Sequence, residues 1–373
     1  MNIPLSPIDY YFFRRDRYTI RFVFQYLGKL DIQRFEKALH EVIETYSVVG
    51  SRLKMISDRE VALETGFPLS LKTRTTHREL ENLSQATLRD LVDPVTNRAG
   101  ENLFKVSVTQ TPSRYYVGFS FSHLLGDGTS FFQFLTALSK TCKSRPLLQT
   151  PCNKRELLNA KGNHPKDLFD STGYTIDELE NKQATYLETF AYSNKKLETL
   201  KQESTALGYE LSSNDLVMAD LAKRFYRNIA LHEGKFLVRC PLDYRKIMGL
   251  PPDYFGNAVR DVVTAFVPEE MEELDLFDIA SRIHGNVQKI DLQNVLDSLE
   301  SLDSLRKKEG ITVFEKVQCP GLLVTNLSKA PVAEIDLGTG VPEEFYQASS
   351  FSRLAAIFKT ADGLKVHFTC PEV

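Results

Sequence analysis

The arrangement in this chain best suited to moving a proton is His123 followed four positions later by Asp127, in the run Tyr115-Tyr-Val-Gly-Phe-Ser-Phe-Ser-His-Leu-Leu-Gly-Asp-Gly-Thr-Ser-Phe-Phe132. Imidazole titrates near neutrality, so at pH 7 it offers a neutral nitrogen that takes the proton of an attacking hydroxyl or amine. Tyr115, Val117, Phe119, Phe121 and His123 share one phase of a period-two alternation, with Gly118, Ser120 and Ser122 on the other. The spacing predicts a strand that delivers the imidazole among large apolar side chains. Gly126 and Gly128 flank Asp127 and permit a tight backbone path, after which Phe131, Phe134, Leu135 and Leu138 recur at helical spacing. On the residues alone Asp127 has two readings, support for the histidine or a plain N-cap of the helix starting near Thr129.

Elements that would position this pair recur along the chain. Thr19 to Tyr26, Phe104 to Thr109 and Tyr115 to Ser122 read as strands, and Gln33 to Tyr46 reads as a helix whose apolar stripe is Phe35, Leu39, Val42, Ile43 and Tyr46. Residues 140 to about 185 hold Pro146, Pro151 and Pro165 among polar residues and read as a surface crossover. Beyond it come helices at Lys195 to Lys201 and from Ser212 onward, then strands at Lys235 to Cys240, Ala258 to Phe266, Gly321 to Asn326, Ser352 to Lys359 and Leu364 to Thr369. At 373 residues the chain suits two cores, so the expected division is 1–150, a crossover at 151–185, and 186–373.

Composition narrows the partners. Lys and Arg number 46 against 49 Asp and Glu, a net charge of −3 with no basic excess that nucleic acid or an anionic membrane would require. Cys142, Cys152, Cys240, Cys319 and Cys370 are scattered, with no pair at metal-ligand spacing, and read as reduced thiols. No window approaches about eighteen apolar residues, and the start lacks the build of a signal peptide, which makes the cytoplasm the expected location. The other histidines, His40, His77, His164, His232, His284 and His367, have no accompanying constellation.

Phe121 to Leu135 resembles the His-x-x-x-Asp-Gly segment of the BAHD acyltransferases, which share a superfamily with chloramphenicol acetyltransferase and the peptide-synthetase condensation domains. Further matches follow in order: Leu5-Ser-Pro-Ile-Asp9, Leu30 to Leu53, Pro241-Leu-Asp-Tyr-Arg245, Pro251-Pro-Asp-Tyr-Phe-Gly-Asn-Ala258 and the degenerate Asp336-Leu-Gly-Thr-Gly340. Ser122 stands where condensation domains carry a second histidine, which favours the BAHD side. The absence of tryptophan marks a divergent member.

The resemblance implies an α/β fold of two chloramphenicol-acetyltransferase-like domains, each a mixed β-sheet flanked by helices, with the active site in a tunnel between them. It implies acyl transfer from acyl-CoA, a co-substrate rather than a tightly bound cofactor, to a hydroxyl or amine of a small molecule by a monomer, with His123 as general base. Asp127 then turns from the substrate and pairs with Arg245, where the plain N-cap remains the other reading. Thr325 and Asn326 offer oxyanion donors or merely finish a turn, and Tyr254 to Asn257 reads as a bulge or turn. Asp336, Gly338 and Gly340 would shape the loop beside the CoA channel, and Ser212 and Ser213 would touch the pantetheine arm or cap a helix. Two rivals stay open: a condensation-type enzyme fed by a carrier protein, and a noncatalytic binding protein on the same scaffold.

Overall fold

Runs of β-branched and aromatic residues make the strands of this protein, and their pairing order sets its architecture. The computed structural model describes residues 1–13, 19–81, 83–147, 150–159, 175–176, 185–318, 320–349, 351 and 353–371. One sheet has the order Glu344–Gln347, Thr19–Leu27, Arg114–Ser122, Phe104–Gln110 and Ser70–Thr75, antiparallel except for its last, parallel pair. The other runs Val259–Phe266, Phe236–Asp243, Leu322–Asn326, Leu354–Thr360, Gly363–Pro371 and Thr185–Ser193, with parallel pairing on both sides of Leu322–Asn326. Both sheets are mixed and flanked by helices, the α/β class expected.

Each sheet has its own core. Helix Gly128–Cys142 lays Phe131 against Phe22, Phe119 and Phe121 of the first sheet, and helix Ile32–Thr45 buries Phe35, Ala38, Leu39 and Val42. In the second, helix Ser213–Phe225 buries Leu216, Val217 and Leu221 in the same cluster as Val238, Val324 and Ile357. Strand Arg114–Ser122 is buried on both faces, because its small-residue phase is covered by 91–97. Val95 N donates to Ser120 Oγ at 3.0 Å, and Ser122 Oγ donates to Asn97 Oδ1 at 2.6 Å.

Two segments tie the halves together. Strand Glu344–Gln347 pairs with Thr19–Leu27, so a late part of the chain forms an edge of the first sheet. The described start of the expected surface crossover is anchored in the core at some positions and exposed at others: Arg155 and Leu158 are buried and Cys152 bridges to Tyr254, while Lys154, Glu156 and Leu157 face solvent. An ion-paired arginine fills this stretch of core, so no apolar periodicity announces it. Residues 160–174 and 177–184 of that crossover, with Cys319 and His164, lie outside the described residues. Among the described residues no helix is long and apolar enough to cross a membrane.

Candidate active site

His123 sits one residue beyond strand Arg114–Ser122, in the turn that leads to helix Gly128–Cys142. Its ring stacks on Phe12 with centroids 4.1 Å apart and planes 11° from parallel. Nδ1 lies 3.2 Å from Asn257 Oδ1, while Asn257 Nδ2 donates to the His123 carbonyl at 2.6 Å and to Asp9 Oδ1 at 2.7 Å. Burial pushes the imidazole pKa below its ordinary value and outweighs the upward pull of the Asn257 hydrogen bond and of Asp127, Asp261 and Asp9. Each of these carboxylates has its own arginine beside it. Asp127 meets Arg245 at 2.8 Å, Asp9 meets Arg155 at 2.9 Å, and Asp261 pairs with Arg239.

Asp127 fills both roles that the residues left open. Its Oδ1 accepts from Ser130 N at 3.0 Å as the N-cap of Gly128–Cys142, and Arg245 donates to both carboxylate oxygens at 2.8 and 3.0 Å. Ala258 N adds a bond to Oδ2 at 2.9 Å. Burial raises the carboxyl pKa, but the charge and hydrogen bonds of Arg245 carry it below the ordinary value, so Asp127 stays ionised. Both oxygens are occupied, and the carboxylate has no proton to exchange with His123.

The Tyr254 to Asn257 turn closes on the same place. Arg245 Nη2 donates to Gly256 O at 2.9 Å, and Ser130 Oγ both donates to Gly256 O and accepts from Gly256 N at 2.9 Å. Gly126 is required by closeness rather than by backbone angle, since a Cβ there would meet the Ser130 Cβ at 2.6 Å.

A cavity with about 1150 Å³ of empty space, partly open to solvent, runs between the two sheets. His123, Phe12 and Phe22 wall it from one side, and Pro241, Leu323 and Thr325 from the other. Asn326 also reaches the wall, but its Nδ2 donates to Asn214 at 3.0 Å and its Oδ1 accepts from Ser328 N at 2.9 Å, so its amide finishes a turn.

The structure does not bring every expected site residue here. Asp336 Oδ1 accepts from Gly338 N at 2.8 Å and Gly340 N at 3.0 Å, both glycines having left-handed φ of 105° and 111°. This loop borders a separate small cleft beside Arg34 and Cys142, at the far end of helix Gly128–Cys142, about 20 Å from the His123 turn at 1.5 Å rise per residue. Asp336, Gly338 and Gly340 therefore organise a loop that does not border the cavity. Ser212 is committed to a capping box, donating to Asp215 Oδ2 at 2.7 Å, and neither it nor Ser213 lines the cavity. Sequence reasoning gave no site role to Asp9, Arg155, Arg239, Asn257 and Asp261. The matches at Leu5 to Asp9 and Tyr254 to Asn257 held the signal for two of them.

Two mixed sheets with helices, and a histidine on the wall of the cavity between them, define the chloramphenicol-acetyltransferase-like fold. The chain belongs to the Transferase family, the BAHD acyltransferases, whose model matches residues 30–359. Among solved structures, TRI101 of F. sporotrichioides, complexed with Coenzyme A and T-2, superposes with a TM-score of 0.81 at 14% identity, covering 100% of this chain and 95% of that one. Shikimate O-hydroxycinnamoyltransferase of Nicotiana tabacum is 25% identical over 281 residues, 68% of this chain and 63% of the relative. Putrescine hydroxycinnamoyltransferase 3 of Oryza sativa subsp. japonica is 24% identical over 254 residues, 61% of this chain and 57% of the relative. The matched stretch thus spans less than two thirds of these curated relatives.

Proposed function

We propose that this protein transfers an acyl group from a CoA thioester to the hydroxyl or amine of a small molecule, with His123 as general base. The observation that carries this reading is an imidazole, held neutral by burial, on the wall of a cavity that both sheets line. As the acceptor's oxygen or nitrogen attacks the thioester carbonyl, His123 takes its proton. The tetrahedral intermediate then expels CoA thiolate, to which the imidazolium returns the proton, and no covalent enzyme intermediate is needed. Thr325, on the opposite wall, is the side chain we assign to the oxyanion. Asp127 and Arg245 support the turn. The two substrates would enter the cavity from opposite ends, the tunnel arrangement that the resemblance implies, and the enzyme would work as a soluble monomer.

The CoA complex of the structural neighbour supports a CoA-bound donor, and the relatives named for shikimate and for putrescine support an alcohol or an amine as acceptor. The test is release of free CoA thiol from a panel of acyl-CoAs in the presence of candidate alcohols and amines. Acceptor-dependent release that disappears in folded His123→Ala is the expected result. Consumption of an acylated carrier protein with no use of acyl-CoA would instead establish the condensation-type donor. Binding of acyl-CoA without turnover across the panel would establish the noncatalytic scaffold.

A further inference from the structure

We infer that Asn257 fixes His123 in the tautomer that leaves Nε2 unprotonated, and that Asp9 with Arg155 holds Asn257 in place to do so. The inference deepens the reading of His123 as base and rests on it for its consequence in catalysis. A primary amide has one acceptor and two N–H donors. Asn257 Nδ2 has the His123 carbonyl at 2.6 Å and Asp9 Oδ1 at 2.7 Å, two groups that only accept. Turning the amide over would set its oxygen against both, so its orientation follows from the network. Oδ1 therefore faces His123 Nδ1 at 3.2 Å, and because it only accepts, Nδ1 carries the proton. A neutral imidazole has one N–H, which leaves the lone pair on Nε2.

Asp9 is anchored for this task. Its Oδ2 accepts from Ser6 N at 2.9 Å and Ser6 Oγ at 2.7 Å, and its Oδ1 accepts from Arg155 Nη1 at 2.9 Å. Arg155 Nη2 in turn donates to Leu125 O at 2.6 Å, inside the His123 turn. Asn257 is fully buried and does not line the cavity, so it acts through His123 as a positioning residue. Among the described residues, the charged groups that act on the ring come from three directions: Asp9 of the N-terminal helix Pro7–Tyr11, Asp127 of the turn, and Asp261 of strand Val259–Phe266. Arg155, Arg245 and Arg239 match them one for one. A neutral amide at Nδ1 orients the ring without adding a charge that would stabilise the imidazolium. The base stays neutral, with its lone pair directed away from the network.

Nitrogen-15 NMR of histidine-labelled protein at about pH 8 tests this, with the His123 signals assigned by their loss in His123→Gln. The expected wild-type result is a single tautomer, Nδ1 protonated and Nε2 unprotonated. In Asn257→Leu the tautomers should mix, kcat should fall about ten- to a hundredfold with KM for acyl-CoA within about twofold, and the pH–rate limb should move down. Asn257→Ser, which adds no bulk, replaces the leucine variant if that one does not fold. A wild-type His123 protonated at Nε2 overturns the inference, as does a folded Asn257→Leu with unchanged tautomer and rate. If the tautomer is as expected but His123→Ala keeps its turnover, the base assignment falls while the role of Asn257 in setting the tautomer stands.

Discussion

His123 and His367 are both packed against aromatic rings and both kept neutral by burial, yet their surroundings could hardly differ more. His367 lies in strand Gly363–Pro371, 1% exposed, between Phe345 and Phe358 at centroid distances of 5.3 and 5.1 Å, and its Nδ1 is buried with no hydrogen-bond partner. Burial, assisted by the charge of Lys365, pushes its pKa down to about 3. His123 stacks on Phe12 but has a neutral amide at Nδ1, three arginine-matched carboxylates around it and a cavity before it. Dehydration alone makes a histidine neutral; it does not make it useful. A base also needs a fixed ring and room for a second molecule, and of these two histidines His123 has both.

The sharpest way to break this contrast is to remove each imidazole in turn. His123→Ala should lower the acyl-transfer rate by about two to four powers of ten, with an unchanged circular dichroism spectrum, whereas His367→Phe should leave kcat within about twofold. Comparable losses in both variants would mean that the cavity does not single out its histidine. The wild-type rate should rise with pH through a value below about 6.5 and then level off, because the protonated ring cannot accept the acceptor's proton.

Next in size is the carboxylate beside the useful histidine. Removing Arg245 leaves the buried Asp127 carboxylate without its counter-charge, so Arg245→Met should cost about 3–5 kcal/mol in urea unfolding, and Asp127→Asn should cost less because Arg245 keeps Asp243 at 3.0 Å. The double variant should cost less than the sum of the two. Strictly additive losses would reduce Asp127 to its capping role.

The structural histidine should show itself in acid. Between about pH 6.5 and 3 the unfolded chain binds a proton on His367 that the folded chain excludes, so stability falls as pH falls through that window. At pH 5 the loss comes to about 2 kcal/mol relative to pH 8, and His367→Phe should abolish that share of it. Identical acid sensitivity in wild type and variant, measured by urea unfolding at both pH values, would place the titrating group elsewhere.

The smallest effect belongs to the loop that the resemblance had placed beside the donor channel. Asp336→Ala removes the acceptor of two glycine amides and should cost about 1–2 kcal/mol, with KM for acyl-CoA unchanged because the loop borders a different cleft. A large rise in KM would return that loop to the donor site.

Much of the fold was legible because strands and helices leave periodic signals within short windows. Thr19–Leu27, Phe104–Gln110, Arg114–Ser122 and Ile32–Thr45 lie within a residue or so of where alternation and the helical stripe put them. Helix Leu276–Gln288 carries a legible stripe of Leu276, Ile279, Ala280, Ile283 and Val287 that went unassigned, whereas in Leu292–Glu309 polar residues dilute the apolar face. Strand Glu344–Gln347 is four residues long, too short for a period to register.

By itself the sequence determined the strand, turn and helix that present His123, the capping position of Asp127, and, through resemblance, the pairing of Asp127 with Arg245. Tertiary structure alone decided what surrounds the imidazole. Arg155 reaches Asp9 across 146 positions and Asn257 reaches it across 248, while the strand that completes the first sheet comes from the far end of the chain. Local patterns arise because neighbouring residues share one helix or strand face. A buried polar contact obeys no such spacing: it forms wherever folding leaves a donor and an acceptor together without water, and its partners become known only when the chain has closed on itself.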